Sequence, residues 1–395
     1  MKYGLLASGA VVVGLLQATS PSQGALSAQG CPSAGTATTW RVAKTAWGDP
    51  DLQGKWAMAD TGTPMERPTE FGNRELLTDQ ELAARIAAAQ RNLDPQDDEE
   101  RQASAQQRAP EHEKGIRYQE YNAFWNDAGK RQVTPWKRTS LIVDPPDGRI
   151  PPLTLEAVQR LETREAARRS RGEADGWEDR NLSERCLLNA FVRFSGTGTG
   201  TIKQFIQTPG YVAVIVYALN ANDPIVVPLN GSSRPGENVR TWLGIPRGRW
   251  EGTTLVVETT HINSQQDGGP VMPSRTPYAM PSGSHLGSGD TVRLTERFTR
   301  VGPDTIEFRY TIDDPKTYVR PYTVLRPLTR QPDDLLMPEN GCHEGNYGIV
   351  GQLSAGRADE SYASKAAQLE ASERQPQLQE MKRRAEAWAK SQGKR

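Results

Sequence analysis

Apolar and polar side chains alternate with a period of two over much of residues 201–330. Residues 211–219, 255–262, 291–301, 305–312 and 318–328 each put apolar, β-branched or aromatic side chains on one face, which predicts strands with one buried side. Glu251-Gly252, Gly302-Pro303-Asp304 and Asp313-Asp314-Pro315 punctuate them with residues that fix or free the backbone for a reversal. Leu141-Ile142-Val143 is a further short strand, stopped by Asp144-Pro145-Pro146-Asp147-Gly148. Strands in such close succession predict a mainly β fold, an antiparallel barrel or sandwich of lipocalin-like character.

The pattern changes to a helical period in two places before the strands and once after them. Thr78 with Glu81 three residues on forms a capping box, and Leu82, Ile86 and Ala89 follow on one face. A second helix is expected over 155–169, with Leu155, Val158 and Leu161 together. Both helices are peripheral in this reading. Residues 47–56 read as an ordered turn between aromatic anchors, 92–115 as a charged linker, and Tyr118, Tyr121, Phe124 and Trp125 as a packing cluster. Residues 263–289 form a Gly/Ser/Pro-rich loop, at that length a lid, a binding loop or disorder. The expected organisation is a signal peptide over 1–28, an extended and helical segment over 29–135 packed on the core, a β-rich core domain over 136–357, and a charged helical tail over 358–395.

The signal peptide rests on Lys2 followed by an uncharged, largely apolar run over residues 4–16 and a small, polar stretch to Gly30. That run is too short to span a bilayer, so a periplasmic or secreted location is expected. The chain carries 48 basic and 48 acidic side chains. A neutral surface offers no electrostatic funnel for nucleic acid, and no later stretch of the mature chain is long enough for an integral membrane segment. In an oxidising compartment two of the three cysteines are free to pair. Cys186 and Cys342 both fall in the folded region, whereas Cys31 lies in a polar stretch. A Cys186–Cys342 bridge would be worth about 4–5 kcal/mol on the chain-entropy model; two separate buried thiols are the alternative.

Candidate chemistry comes from a break in the alternation. Val292, Leu294, Glu296 and Phe298 share one face, so Glu296 stands where the pattern demands core. A buried carboxylate needs a partner or a proton. Tyr310 shares a face with Ile306, Phe308 and Ile312; Glu258 shares one with Val256, Thr260 and Ile262. Arg320 and Tyr322 begin the last strand, Arg320 as a bidentate partner for either glutamate. His343 and Glu344 follow in a glycine-bounded polar segment beside Cys342. The sharp reading is a polar pocket with Glu296, Glu258 and His343 as proton-transfer groups and with Arg320, Tyr310, Tyr322 and Glu344 holding substrate. The plain reading is a structural Glu–Arg–Tyr network. No cofactor motif is present: Gly196-Thr197-Gly198-Thr199-Gly200 precedes no helical pattern, there is no G-x-S-x-G, and the histidines lack metal-site spacing.

Several segments together resemble a large family of uncharacterised exported bacterial proteins. They are Gly48-Asp49-Pro50-Asp51-Leu52-Gln53-Gly54, Glu66-Arg67-Pro68, Arg138-Thr139-Ser140-Leu141-Ile142-Val143-Asp144-Pro145-Pro146-Asp147-Gly148-Arg149, Arg247-Gly248-Arg249-Trp250-Glu251-Gly252, Glu296-Arg297-Phe298-Thr299-Arg300 and Cys342-His343-Glu344-Gly345-Asn346-Tyr347-Gly348. The resemblance spans roughly residues 47–357 and implies no particular reaction. Family members commonly carry Glu and His, then Arg, in the strand after Tyr211-Val212; here it reads Val216-Tyr217-Ala218-Leu219-Asn220. The expected function is an exported enzyme using acid/base carboxylates on a polar small organic molecule, of hydrolase, lyase or isomerase type. The alternative is a non-catalytic periplasmic protein that binds a small molecule or glycan. The sequence carries no signal of oligomeric state.

Overall fold

A computed structural model describes residues 40–58, 62–93, 134–169, 202–217, 224–263, 291–335 and 360–392. Of the two expected β architectures, the barrel is the one formed. Ten strands are described: β1 (Gly54–Met58), β2 (Ile142–Asp144), β3 (Ile202–Thr208), β4 (Tyr211–Tyr217), β5 (Ile225–Pro228), β6 (Ile245–Glu251), β7 (Thr254–Thr260), β8 (Arg293–Gly302), β9 (Thr305–Asp313) and β10 (Tyr322–Arg330). They join antiparallel in the order β5-β4-β3-β1-β10-β9-β8-β7-β6, with β2 paired to β10 off this path. The sheet curls until its two end strands lie side by side, giving a nearly closed barrel.

Closure between β5 and β6 uses side chains rather than a ladder. A Cβ added at Gly248 would meet Leu229 at 2.5 Å and Val227 at 2.7 Å, so the missing side chain is the seat into which β5 packs. Arg247 reinforces this seam by donating from Nε to the Ser232 carbonyl at 2.8 Å. The turn between β6 and β7 falls where the sequence marks it, with Gly252 at φ 61°, and Gly210 at φ 81° turns β3 into β4.

Strand alternation sorts the inner face into rows. One row runs Gly248, Val257, Glu296, Tyr310 and Val324; the next runs Trp250, Leu255, Phe298, Phe308 and Arg326. Phe298 and Phe308 stack at 4.8 Å, and Phe205 of β3 meets Phe298 edge-on at 5.2 Å from across the interior. These rings form an aromatic layer through the barrel.

The 47–56 turn seals one end. Trp56 is fully buried and donates its indole N–H to the Leu52 carbonyl at 2.9 Å. Gln207 holds the same loop, accepting from the Leu52 amide at 2.7 Å and donating to the Pro50 carbonyl at 3.0 Å. The guanidiniums of Arg300 and Arg330 flank the Trp56 ring at 5.3 and 5.5 Å. Gly54, at φ 118°, has no room for a side chain because the Arg330 guanidinium occupies the space.

Two helices lie outside the barrel where the sequence expects them. α1 (Asp79–Leu93) opens with the capping box intact: the Glu81 amide donates to Thr78 Oγ1 at 3.2 Å, and the Thr78 amide donates to Glu81 Oε2 at 2.7 Å. α2 (Leu155–Arg169) buries Ala157, Val158 and Leu161, while Leu155 at its first turn stays exposed. The tail forms α3 (Glu360–Gln392), whose C-terminal half is docked rather than frayed. Ala385 is buried, Leu378 and Met381 pack on the core, and Lys382 pairs with Glu162 of α2 at 2.8 Å. Among the described residues no helix is long and apolar enough to cross a membrane.

β1, β3, β5 and β6 form where the sequence pattern marks no strand. Tyr318 makes only an isolated bridge to Leu153 and residues 319–320 bend, so β10 starts only at Tyr322. The 1–28 segment, the 92–115 linker beyond Leu93, the aromatic cluster at 118–125 and the 263–289 loop beyond Asn263 lie outside the described residues.

Candidate functional site

Polar groups gather on the inner face just above the aromatic layer. Glu296 of β8 is only 6% exposed and stands directly opposite Tyr310 of β9, which is wholly buried. Directly opposed residues of an antiparallel pair bring their Cβ atoms to about 5 Å. Arg326, on β10 and 9% exposed, is diagonal to Tyr310 across the β9–β10 pair. Lys203 of β3 is 1% exposed. It precedes Phe205 by two residues, as Glu296 precedes Phe298, and β3 runs in the same direction as β8. The Phe205–Phe298 contact therefore sets lysine and carboxylate on the same side of the aromatic layer.

The Tyr310 hydroxyl is the telling atom. It is buried and has no hydrogen-bond partner. Loss of solvent pushes its pKa up to about 12; the nearby Arg326 charge opposes the rise, and Glu296 adds to it. Tyr310 therefore stays a protonated donor at neutral pH. A second donor on the inner face is in the same condition: Trp250 Nε1 on β6 is buried without a partner. Buried polar atoms are nearly always bonded, so two orphan donors facing one interior call for an explanation.

The other anticipated site residues fall elsewhere. Glu258 does share a face with Val256 and Thr260, but that is the outer face of the barrel. Its partners are Arg249 at 2.7 Å and Arg234 at 3.8 Å, and its side chain is 27% exposed. The misleading residue is Val256, fully buried on the outer face between Arg249 and Arg297 in the register. Arg320 precedes β10 and does not enter the interior. It donates to Asp144 at 3.0 Å on the outside, and neither glutamate is its partner.

Tyr322 does face inward. It meets Tyr318 edge-on at 5.2 Å, with the two hydroxyls hydrogen-bonded, and burial raises its pKa well above the usual phenol value. Tyr310 and Glu66 are close enough to add to that rise. His343, Glu344 and the Cys186–Cys342 pair lie outside the described residues.

Lys203 and Arg326 are interior groups that the sequence reading passed over. Arg326 had a signal: it continues the inward phase of Tyr322 and Val324. Lys203 had little, because β3 itself went unmarked. β4, where the resemblance leads one to expect glutamate and histidine, lines the interior with Val212 and Val214. Among the described residues no group of three or more His, Cys, Asp or Glu side chains is placed to hold a metal ion. His261, buried at φ 59°, shares a 2.8 Å hydrogen bond between Nδ1 and Thr260 Oγ1.

Motifs that carry the family resemblance serve architecture here. Arg67 is buried, donates to Thr139 Oγ1 at 3.0 Å and to the Pro146 carbonyl at 2.8 Å, and lies against Gly148, where a Cβ would be too close. Residues 62–72 and 138–150 are thereby tied into one scaffold beside β10. No family model, no curated protein and no solved structure matches this chain.

Proposed function

We propose that this chain is an exported protein that takes a polar small organic molecule into its barrel, among Glu296, Tyr310, Arg326 and Lys203. The supporting observation is the Tyr310 hydroxyl: fully buried, unbonded, and beside an ionisable carboxylate and a guanidinium. A site made of an apolar wall with a few converging polar groups suits a small ligand better than a macromolecule. Lys2 and the apolar run of residues 4–16 support export.

A catalytic version of this reading has one specific support, the carboxylate of Glu296 directly opposite a phenol that keeps its proton. It no longer has two carboxylates, since Glu258 faces outward, so among the described residues Glu296 is the single anticipated proton-transfer group inside the barrel. The test is a thermal-shift screen of metabolites on wild type, Glu296→Gln and Glu258→Gln. Compounds that raise the wild-type Tm are expected to lose the effect in Glu296→Gln and keep it in Glu258→Gln. Equal affinity in Glu296→Gln with no turnover lost, or a bound ligand found on the outside of the barrel, overturns the reading. Turnover lost with affinity retained selects the catalytic version.

A further inference from the structure

We infer that the interior ligand is a carboxylate-bearing small molecule whose carboxylate is received by Tyr310 and Arg326, an inference that rests on the interior site proposed above. Its starting point is the polarity of the unmet demand. A Tyr310 hydroxyl that keeps its proton and the Trp250 indole N–H are both donors, and the indole nitrogen has no capacity to accept. Two orphan donors require acceptors, and Glu296, directly opposite Tyr310, leaves one oxygen open to a donor elsewhere on the same ligand. A carboxylate offers about four lone-pair sites and no competing hydrogen, whereas an amide or an ammonium brings donors of its own to groups that already donate.

Charge agrees with this polarity. Around Tyr310 the inner rows carry two buried cations, Lys203 and Arg326, against the Glu296 carboxylate, with Glu66 nearer to Tyr322. Bringing an anion out of water is costly unless a cation meets it with hydrogen bonds. Arg326 presents five N–H donors on a planar fork, and a fork of that shape takes a carboxylate through two parallel bonds. Arg326 is diagonal to Tyr310, so the fork and the phenol address one locus from neighbouring strands. The stacked rings of Phe298 and Phe308 at 4.8 Å offer an apolar surface beside it for the body of the acid.

The experiment compares benzoate with its neutral isostere benzamide, by calorimetric titration and thermal shift, on wild type, Tyr310→Phe and Arg326→Gln. Benzoate is expected to bind wild type at least tenfold more tightly than benzamide. Tyr310→Phe should weaken benzoate by roughly tenfold, the usual size of a hydrogen bond to a charged group. Arg326→Gln should remove the preference for the anion; if it does not fold, Tyr310→Phe still reads the site because it keeps the ring. Benzamide binding as tightly as benzoate, with both weakened by Tyr310→Phe, overturns the carboxylate assignment and leaves the interior site standing. Benzoate affinity indifferent to Tyr310→Phe overturns the placement. No binding by benzoate or octanoate, while a neutral compound binds in a Glu296-dependent way, also overturns the assignment.

Discussion

Replacing Tyr310 with phenylalanine removes one oxygen from the barrel interior and leaves the ring where it is, 5.4 Å from Phe308. A buried hydroxyl without a partner costs about 1–3 kcal/mol relative to an apolar isostere. With no hydrogen bond lost and no cavity larger than an oxygen created, the ligand-free variant should be more stable than wild type by about 1–2 kcal/mol. In urea, with a slope of about 3 kcal/mol/M, that is a rise of roughly 0.3–0.7 M in the midpoint. Matching transitions in tryptophan fluorescence and far-UV circular dichroism keep the two-state treatment valid. The same substitution should weaken ligand, so the two effects have opposite signs. That combination marks a group kept for function at a cost in stability. A loss of 1 kcal/mol or more in the ligand-free variant refutes the argument, because it means that the hydroxyl is bonded in the resting protein.

Two further expectations concern the frame around the site. Gly248→Ala should destabilise markedly, since its methyl would lie 2.5–2.7 Å from Leu229 and Val227; about 1–3 kcal/mol is the usual cost of such overpacking, read from the urea midpoint, and exchange of β5 amides should rise with it. The Glu81 carboxyl is lowered to about 2, first by the Arg74 guanidinium and next by the Thr78 amide. A carboxyl whose pKa is lower folded than unfolded stabilises above its unfolded value near 4.5 and loses that contribution as the pH falls toward 2. Glu81→Gln should therefore raise amide exchange of α1 at pH 7 and leave it equal to wild type at pH 2.

The period-two pattern of β7 to β9 was legible because each of these strands buries one face inside the barrel, and the phase of Glu296 and Tyr310 followed from it. β1 was hidden by glycine and a lone tryptophan, and β6 by Arg247, Gly248 and Arg249, whose alternation is polar on one side and empty on the other. Glu258 shows where alternation stops being informative: period two says which residues share a face, not which face is inside. With Val256 buried on the outer side and Leu255 and Val257 on the inner, β7 carries apolar residues on both faces. Only the register to Phe298 and Glu296 decides between them. Arg320 failed for a different reason, a strand start placed four residues too early, which the proline at 321 already argued against.

The interior chemistry and the way the barrel closes have one geometric cause. Both inner rows begin on β6, and the residue that opens the first is Gly248, seated against Val227 and Leu229. A side chain there would hold β5 away from β6, leave the sheet open, and let water reach the row that ends in Glu296 and Tyr310. Water would satisfy the Tyr310 hydroxyl and screen the charges of Arg326 and Lys203, which act strongly only in surroundings of low dielectric. The far end carries the same logic. Trp56, clamped between Arg300 and Arg330 and held by Gln207, excludes solvent beneath the aromatic layer. The polar group at the centre depends on these two closures, although neither contributes an atom to it.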